Sequence, residues 1–369
     1  MKIKNRSVYS TSAARGGGWL LLASALLGLG LTGCAPGTHT AYVTLPTSNA
    51  VAAYRIRDYN GAFTGIVGSP YLAGQSPGAV LVSPTGKYVY VANRIDNTIS
   101  LFRINSLIGS LTEIFPRTAT GLDPQAMVMN ASGSLLFVVN EIASSISVYS
   151  INSGTGALSP VAGTPVSTTP NPVALAVTPS GNFLYVVNTD LGAIFGYSIA
   201  TSGALQLVPG SPFISDVGAF ALTIDPNNHF VYVANATANT VSILAIAANG
   251  ALSHVAGSPF AAGTTPVAVA VSNTGQYLYV ANEASNNITE YSIASDTGFA
   301  TTLTGSPVTS GTAPLFLVTD PNGSFLYVVS QTSKTIASFL IPPTSGELAS
   351  TAKSTTTTQS VGGMSVSRQ

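Results

Sequence analysis

The chain is poor in the residues that carry redox and metal chemistry. Its 369 residues include one cysteine, Cys34, one tryptophan, Trp19, and three histidines, His39, His229 and His254. A lone thiol excludes a disulfide, a thiol redox pair and a Cys-based metal site within one copy. Without clustered His or Cys there is no basis for a zinc or copper centre, so neither a metal nor a cofactor is expected. Charge is equally scarce, at 7% of residues with a formal net charge of zero, against roughly 25% in an average protein. Such a chain has little from which to build the extended Lys/Arg surface that nucleic-acid backbones require, so no nucleic-acid partner is expected. Long helical patterns are missing too: beyond the N-terminus the apolar runs are short, and Gly, Pro, Asn or Ser fences each one.

What is abundant is repetition. "YVYVANRIDNTISLFRI" from Tyr88 returns as "YLYVANEASNNITEYSI" from Tyr277, and seven copies can be aligned on Thr44, Asn93, Asn140, Asn188, Asn235, Asn282 and Ser330. The spacings are 49, 47, 48, 47, 47 and 48 residues, a period that belongs to solenoids and propellers. Each copy reads as four short strands. In the fourth, "PVALAV" from Pro172 turns through "TPSGN" into "FLYVVN"; "AIFGYSI" follows, and "SGAL" leads to the last strand. Glycines recur at both hairpins, Gly86, Gly133, Gly181, Gly275 and Gly323 at one and Gly61, Gly109, Gly156, Gly203, Gly250, Gly298 and Gly346 at the other.

The strands are apolar on both faces. In "ISVYSI", Ile146 and Val148 point one way and Tyr149 and Ile151 the other, as a small sheet packed between two neighbours requires. The first copy starts at "AYVTLP" with no first strand before it, while "VGGMSVSRQ" from Val361 matches a first strand with nothing after it. The expected fold is therefore all-β, a seven-bladed β-propeller over residues 41–369 with four-stranded blades, closed by the C-terminal strand joining the N-terminal blade. Thr351–Ser360, "TAKSTTTTQS", is expected as a loose low-complexity loop.

Residues 1–33 read as a secretory signal: Lys2, Lys4, Arg6 and Arg15 precede the apolar "WLLLASALLGLGL", and no acidic residue occurs before Asp58. It ends in "LTGC", Leu31 to Cys34, which resembles the lipobox of bacterial lipoproteins. The resemblance implies lipid attachment at Cys34, a tether over 34–40, and a membrane partner through the anchor. Ala35 is not the Asp that resembles an inner-membrane retention signal, so an outer membrane or cell surface is the expected location.

"YVAN" at Tyr90, Tyr232 and Tyr279, "YVVN" at Tyr185, "SPTGKYVYVAN" from Ser83 and "GSPF" at Gly210 and Gly257 resemble the YVTN-type repeats of the lactonase-like seven-bladed propellers, a family that includes 6-phosphogluconolactonase-like proteins. The resemblance covers residues 41–369 and implies the propeller architecture together with a lactone hydrolase activity. A quinone-cofactor propeller would resemble Trp-rich blades, which this chain lacks.

The repeated Asn anchors read as scaffold, their amides holding the turn into the third strand. A site is expected where the repeats differ, on the face formed by the turns between second and third strands and the links between blades. Arg94, Asp96, Arg117, Asp123 and Glu141 are the candidates there, with Asp190, Asp216, Glu283 and Lys334 elsewhere on that face. Arg94 or Arg117 would stabilise an oxyanion while Glu141 or Asp123 activates water. "NRIDNT" and the "DPN" turns at Asp225 and Asp320 offer a few oxygen ligands of the kind calcium takes, but hairpin chemistry explains these turns adequately. His39 is expected in the tether, His229 in a turn on the opposite face and His254 in an outer strand. Two functional classes follow: a tethered binding or scaffold module with a protein or carbohydrate ligand on the channel face, and a hydrolase of a sugar lactone or related cyclic ester.

Overall fold

A computed structural model describes residues 38–357 and 359–367. Cys34 and the signal lie outside the described residues. Seven antiparallel sheets follow one another along the chain, each ordered from an inner strand outward. In blade 2, for example, the strands are Pro77–Val82, Tyr88–Asn93, Thr98–Ile104 and Leu111–Ala119. The only helical segment among the described residues is a single 3-10 turn, Pro46–Ser48.

In five blades the outer strand is split at a Ser/Thr-Pro step, as in blade 4, where Leu205–Leu207 and Phe213–Ile214 both pair with Ala193–Ile199. Ser211 fills the break: its hydroxyl accepts the backbone N–H of Gly196 at 3.1 Å, and Ser69, Ser258 and Ser306 do the same for Ala53, Ile243 and Glu290. The side chain thus supplies the acceptor that the interrupted outer strand does not offer to this N–H.

Blade 1 is completed across the ends of the chain. Met364–Val366 pairs with Thr38–Leu45 in the register Ala41 with Val366 and Val43 with Met364. Thr44 adds a clasp, its hydroxyl accepting from Gly363 N at 2.7 Å and donating to Gly78 O at 2.7 Å.

Seven apolar clusters lie one between each pair of neighbouring blades, which is the packing of a closed ring. Ile146 and Val148 pack toward blade 4 with Leu184 and Val186, while Tyr149 and Ile151 pack toward blade 2 with Tyr88 and Tyr90. Buried tyrosines also bridge blades. Tyr42, Tyr90, Tyr185 and Tyr279 donate their hydroxyls to the carbonyls of Gly109, Gly156, Gly250 and Gly346, each in the hairpin of the next blade. Those glycines all have positive φ, from 68° to 84°, a conformation in which a Cβ would be strained. A Cβ on Gly156 would also meet the ring of Tyr88 at 2.8 Å.

Two expectations are corrected. Ala349–Thr356 is a strand, the outer one of blade 7, pairing with Thr335–Leu340. Its Ser/Thr run is mostly solvent-facing, and β-branched Thr suits an exposed edge strand that needs only backbone pairing on one side. His39 lies in the sheet, because the first strand begins at Thr38. It is almost fully buried, and its Nδ1 is 2.6 Å from Asp58 Oδ1.

Candidate functional site

The Asn anchors hold more than one turn. The Asn93 amide nitrogen donates to the hydroxyls of Thr98 and Ser100 in the third strand, both at 3.0 Å, while its oxygen accepts Gly74 N at 3.0 Å from the incoming link. Asn282 repeats this with Asn287, Thr289 and Gly263. The link needs glycine where it crosses: a Cβ on Gly74 would lie 2.4 Å from Asn93 Cγ and 2.6 Å from Asp96 Oδ2. Each of these Asn anchors thereby fixes the turn that follows it and the link that passes over it, which places the channel-face residues.

Against this repeated frame one sector differs. Arg94, in the turn after Asn93, forms a bidentate pair with Asp123 from the link into blade 3, at 2.6 Å from Nε to Oδ1 and 2.8 Å from Nη2 to Oδ2. Glu141, in the corresponding turn of blade 3, lies 3.6 Å from Arg94 Nη2. Asp123 is presented by a left-handed backbone (φ 56°), and its N–H is held by the side chain of Asn97, itself left-handed at φ 55°. Gly78 makes room for the arginine stem, since a Cβ there would sit 3.0 Å from Arg94 Cδ. The two carboxylates, with Asp123 dominant through its hydrogen bonds, raise the pKa of the Arg94 guanidinium and keep it charged.

The remaining candidates form a second, adjacent group. Arg117 lies in the outer strand of blade 2 and pairs with Glu113, at 2.7 Å from Nε to Oε1 and 3.3 Å from Nη2 to Oε2, with Asp96 Oδ2 3.5 Å from its Nη1. Asp96 Oδ2 also accepts Gln75 N at 2.8 Å. Glu113 raises the pKa of Arg117 as Asp123 does that of Arg94. Arg117 therefore partners neither Glu141 nor Asp123, because its strand carries it outward. Asp190 and Asp216 are bound instead to Asn171 and to Thr240 in other blades.

Two site residues lay outside the sequence reading, Gln125 and Glu113, because both sit in strands. Gln125 Nε2 donates to Glu141 Oε2 at 2.7 Å. The signal for it is a broken pattern: the residue after the first position of the inner strand is Gly78, Gln125, Val173, Phe220, Val267, Leu315 and Gly362 round the ring, and only Gln125 is polar.

Beside Arg94 and Asp123 lies a depression of about 430 Å³, lined also by Ser76, Asn97, Ile95, Leu122 and Ile142. The last three are more than half exposed. Nη1 of Arg94 has no hydrogen-bond partner among the described residues. The arrangement offers a charged donor and the fixed carboxylates Asp123 and Glu141 beside aliphatic walls, a combination suited to a ring with one apolar face and polar edges. Two cations against four carboxylates leave the whole network net negative.

The family profile described as "Lactonase, 7-bladed beta-propeller" matches residues 34–175 and 175–362. Among solved structures, a Bacteroides uniformis protein provisionally assigned as a 6-phosphogluconolactonase superposes with a TM-score of 0.79 at 18% identity, over 89% of this chain and 99% of that one. A periplasmic gluconolactonase from Pseudomonas aeruginosa gives 0.76 at 19% identity, over 90% and 99%. The hydrazine synthase of Kuenenia stuttgartiensis gives 0.62 at 16% identity, over 81% and 94%, so one ring serves unrelated chemistry. No curated protein matches the chain.

Proposed function

The chain belongs to the lactonase seven-bladed β-propeller family, and from that premise we propose that it is a lipid-anchored extracytoplasmic binding module whose channel face over blades 2 and 3 takes a small uncharged sugar-like ring. The observation that carries this reading is the Arg94–Asp123–Glu141 network beside the depression, in a ring poor in charge. Its net negative charge disfavours a phosphorylated ligand, which would need converging unpaired cations. Arg94 Nη1 and Glu141 are poised for the ring's oxygen and hydroxyl groups, and Ile95, Leu122 and Ile142 for its apolar face. "LTGC" at Leu31–Cys34 supports the anchor.

A second reading, hydrolysis of the lactone form of such a ring, is favoured by the family. Glu141, oriented by Gln125, would take a proton from the attacking water while Arg94 Nη1 stabilises the oxyanion that forms on the carbonyl; as that oxyanion collapses and the acyl C–O bond breaks, the proton on Glu141 would pass to the leaving ring oxygen. Against it stands the bidentate hold of Asp123, which spends most of the charge of Arg94 on the protein itself.

Calorimetric titration with glucono-lactone, 6-phosphogluconolactone and the matching free sugars, beside a hydrolysis assay, tests both readings. Binding of neutral rings without turnover, lost in Arg94→Ala, supports the first. Turnover lost in both Arg94→Ala and Glu141→Gln establishes the second, and a preference for the phosphorylated lactone overturns the ligand class.

A further inference from the structure

The face opposite the candidate site is also uneven, and the unevenness lies where the chain enters the ring. Hairpins between third and outer strands all emerge there. In blades 3 to 7 their tips are small and polar: Gly154 and Thr155, Thr201 and Ser202, Ala248 and Asn249, Asp296 and Thr297, Thr344 and Ser345. Blades 1 and 2 depart from this. Tyr59 is 61% exposed, and Leu107 and Ile108 are 85% and 50% exposed.

Cations gather at the same place. Arg55, Arg57, Lys87 and Arg103 are all exposed and form no ion pair among the described residues. Arg55 Nη2 donates to Leu107 O at 3.3 Å, joining the two hairpins, and Arg57 Nη1 donates to the Tyr59 hydroxyl at 3.2 Å. Nearby Asp58 is occupied by His39. In a chain with 13 Lys and Arg in all, four of them before residue 16, four unpaired cations around one apolar ridge are a concentration.

Arg57 pairs across the sheet with Thr38, so this surface borders the first described residue. Only Ala35, Pro36 and Gly37 separate Thr38 from Cys34, a reach of at most about 14 Å. A bilayer holding Cys34 by its lipid would have to lie against this face and could not reach the other. Aliphatic and tyrosine side chains ringed by cations are the chemistry of a membrane interface.

We infer that the Arg55–Arg57–Lys87–Arg103 surface with Tyr59, Leu107 and Ile108 docks onto an anionic phospholipid bilayer, a second membrane contact beside the lipid anchor. It turns the channel face of blades 2 and 3 away from the membrane. The inference takes its direction from the anchor reading of Cys34 and its chemistry from the surface itself.

The test uses the chain from Ala35 onward, which keeps every described residue and lacks the lipid, in co-sedimentation with two kinds of vesicle: pure phosphatidylcholine, and equal parts phosphatidylcholine and phosphatidylglycerol. Binding to the anionic vesicles only, weakening as salt is raised, is expected. Each cation near an anionic surface is worth about five-fold in partitioning, so Arg55→Glu with Arg57→Glu should lower it by more than about ten-fold. Leu107→Ser with Ile108→Ser should weaken binding at fixed charge, and Lys353→Glu, on the outer strand of blade 7, should leave it unchanged. Equal binding to both vesicles, no binding at low salt, or indifference to the charge reversals overturns the proposal; a protein captured by this surface in the absence of vesicle binding does so as well. Labelled palmitate incorporation at Cys34 and sugar titration of the same soluble chain are separate readouts, so failure here is distinguishable from failure of the anchor or of the channel site.

Discussion

The hydroxyl of Tyr90 donates to the carbonyl oxygen of Gly156 at 2.7 Å, across the boundary between blades 2 and 3. The same bond recurs from Tyr42, Tyr185 and Tyr279, but Tyr232, in blade 5, has a buried hydroxyl with no partner. Burial raises the pKa of Tyr90, Tyr185 and Tyr232 beyond the working range, so these hydroxyls stay protonated. Tyr90→Phe or Tyr185→Phe should therefore cost about 1 kcal/mol in urea unfolding. Tyr232→Phe should be neutral or stabilising, because it removes a desolvated group that makes no bond. Equal losses at all three positions would show that ring packing rather than the hydrogen bond sets the effect.

Glu290, in the third strand of blade 6, is fully buried. Its Oε1 accepts Leu348 N from blade 7 at 2.6 Å, while Oε2 has no partner. Burial, with a smaller contribution from Glu347, raises its pKa above the ordinary glutamate value. A carboxyl with a raised folded pKa stabilises the fold below its unfolded pKa, and that contribution is lost as pH rises through the folded value. Glu290→Gln should thus raise the melting temperature by a few degrees at neutral pH, and the gain should vanish below the ordinary glutamate range. Melting curves from pH 4 to 8, compared with the unaltered chain, measure this.

Closure of the ring rests on a short segment. Met364 and Val361 are buried in the cluster between blades 7 and 1. Met364→Ala should cost about 2 to 5 kcal/mol, and removal of residues 361–369 should lower the melting point by many degrees by exposing two sheet edges. An unchanged melt after the deletion would mean that the seam contributes nothing.

Gly74 offers a steric test of the anchors. Gly74→Ala drives a Cβ into Asn93 and Asp96, both held by hydrogen bonds, and should cost about 1 to 3 kcal/mol. Gly65→Ala meets nothing within 4 Å and serves as the silent control.

For the site itself, Asp123→Asn should loosen Arg94 without emptying the depression. If the pair serves the protein alone, binding of a neutral ring is unchanged. If Asp123 restrains a cation needed by ligand, affinity shifts by several-fold in titration, and Gln125→Ala shifts it further by freeing Glu141.

The architecture was legible because each blade writes the same demand in sequence: apolar residues on both faces, an anchor before a polar turn, glycine at positive φ. The seam was legible from two half-blades at the ends. The strand Ala349–Thr356 was not, since its Ser/Thr composition fits loop and exposed edge alike, and only the free third strand of blade 7 decides between them. Arg94, Asp123 and Glu141 stand out as candidates by their departure from the repeat. Their pairing was not legible, because the direction of Arg117 depends on whether its segment is a link or an outer strand. His39 escaped because a strand's first residues carry no apolar signal when one of them is a buried histidine bonded to a carboxylate.

The pairing of Val43 with Met364 joins residues more than 300 positions apart, so of these seven sheets the one begun first in synthesis is the one finished last. Until its final residues emerge, blade 1 stands with an open inner edge beside blades whose strands are all local in sequence. Such a contact makes the slow step of assembly a loop closure spanning nearly the whole chain. A truncated translation product would be a row of finished blades with an unpaired edge at its start, the species most exposed to edge-to-edge aggregation.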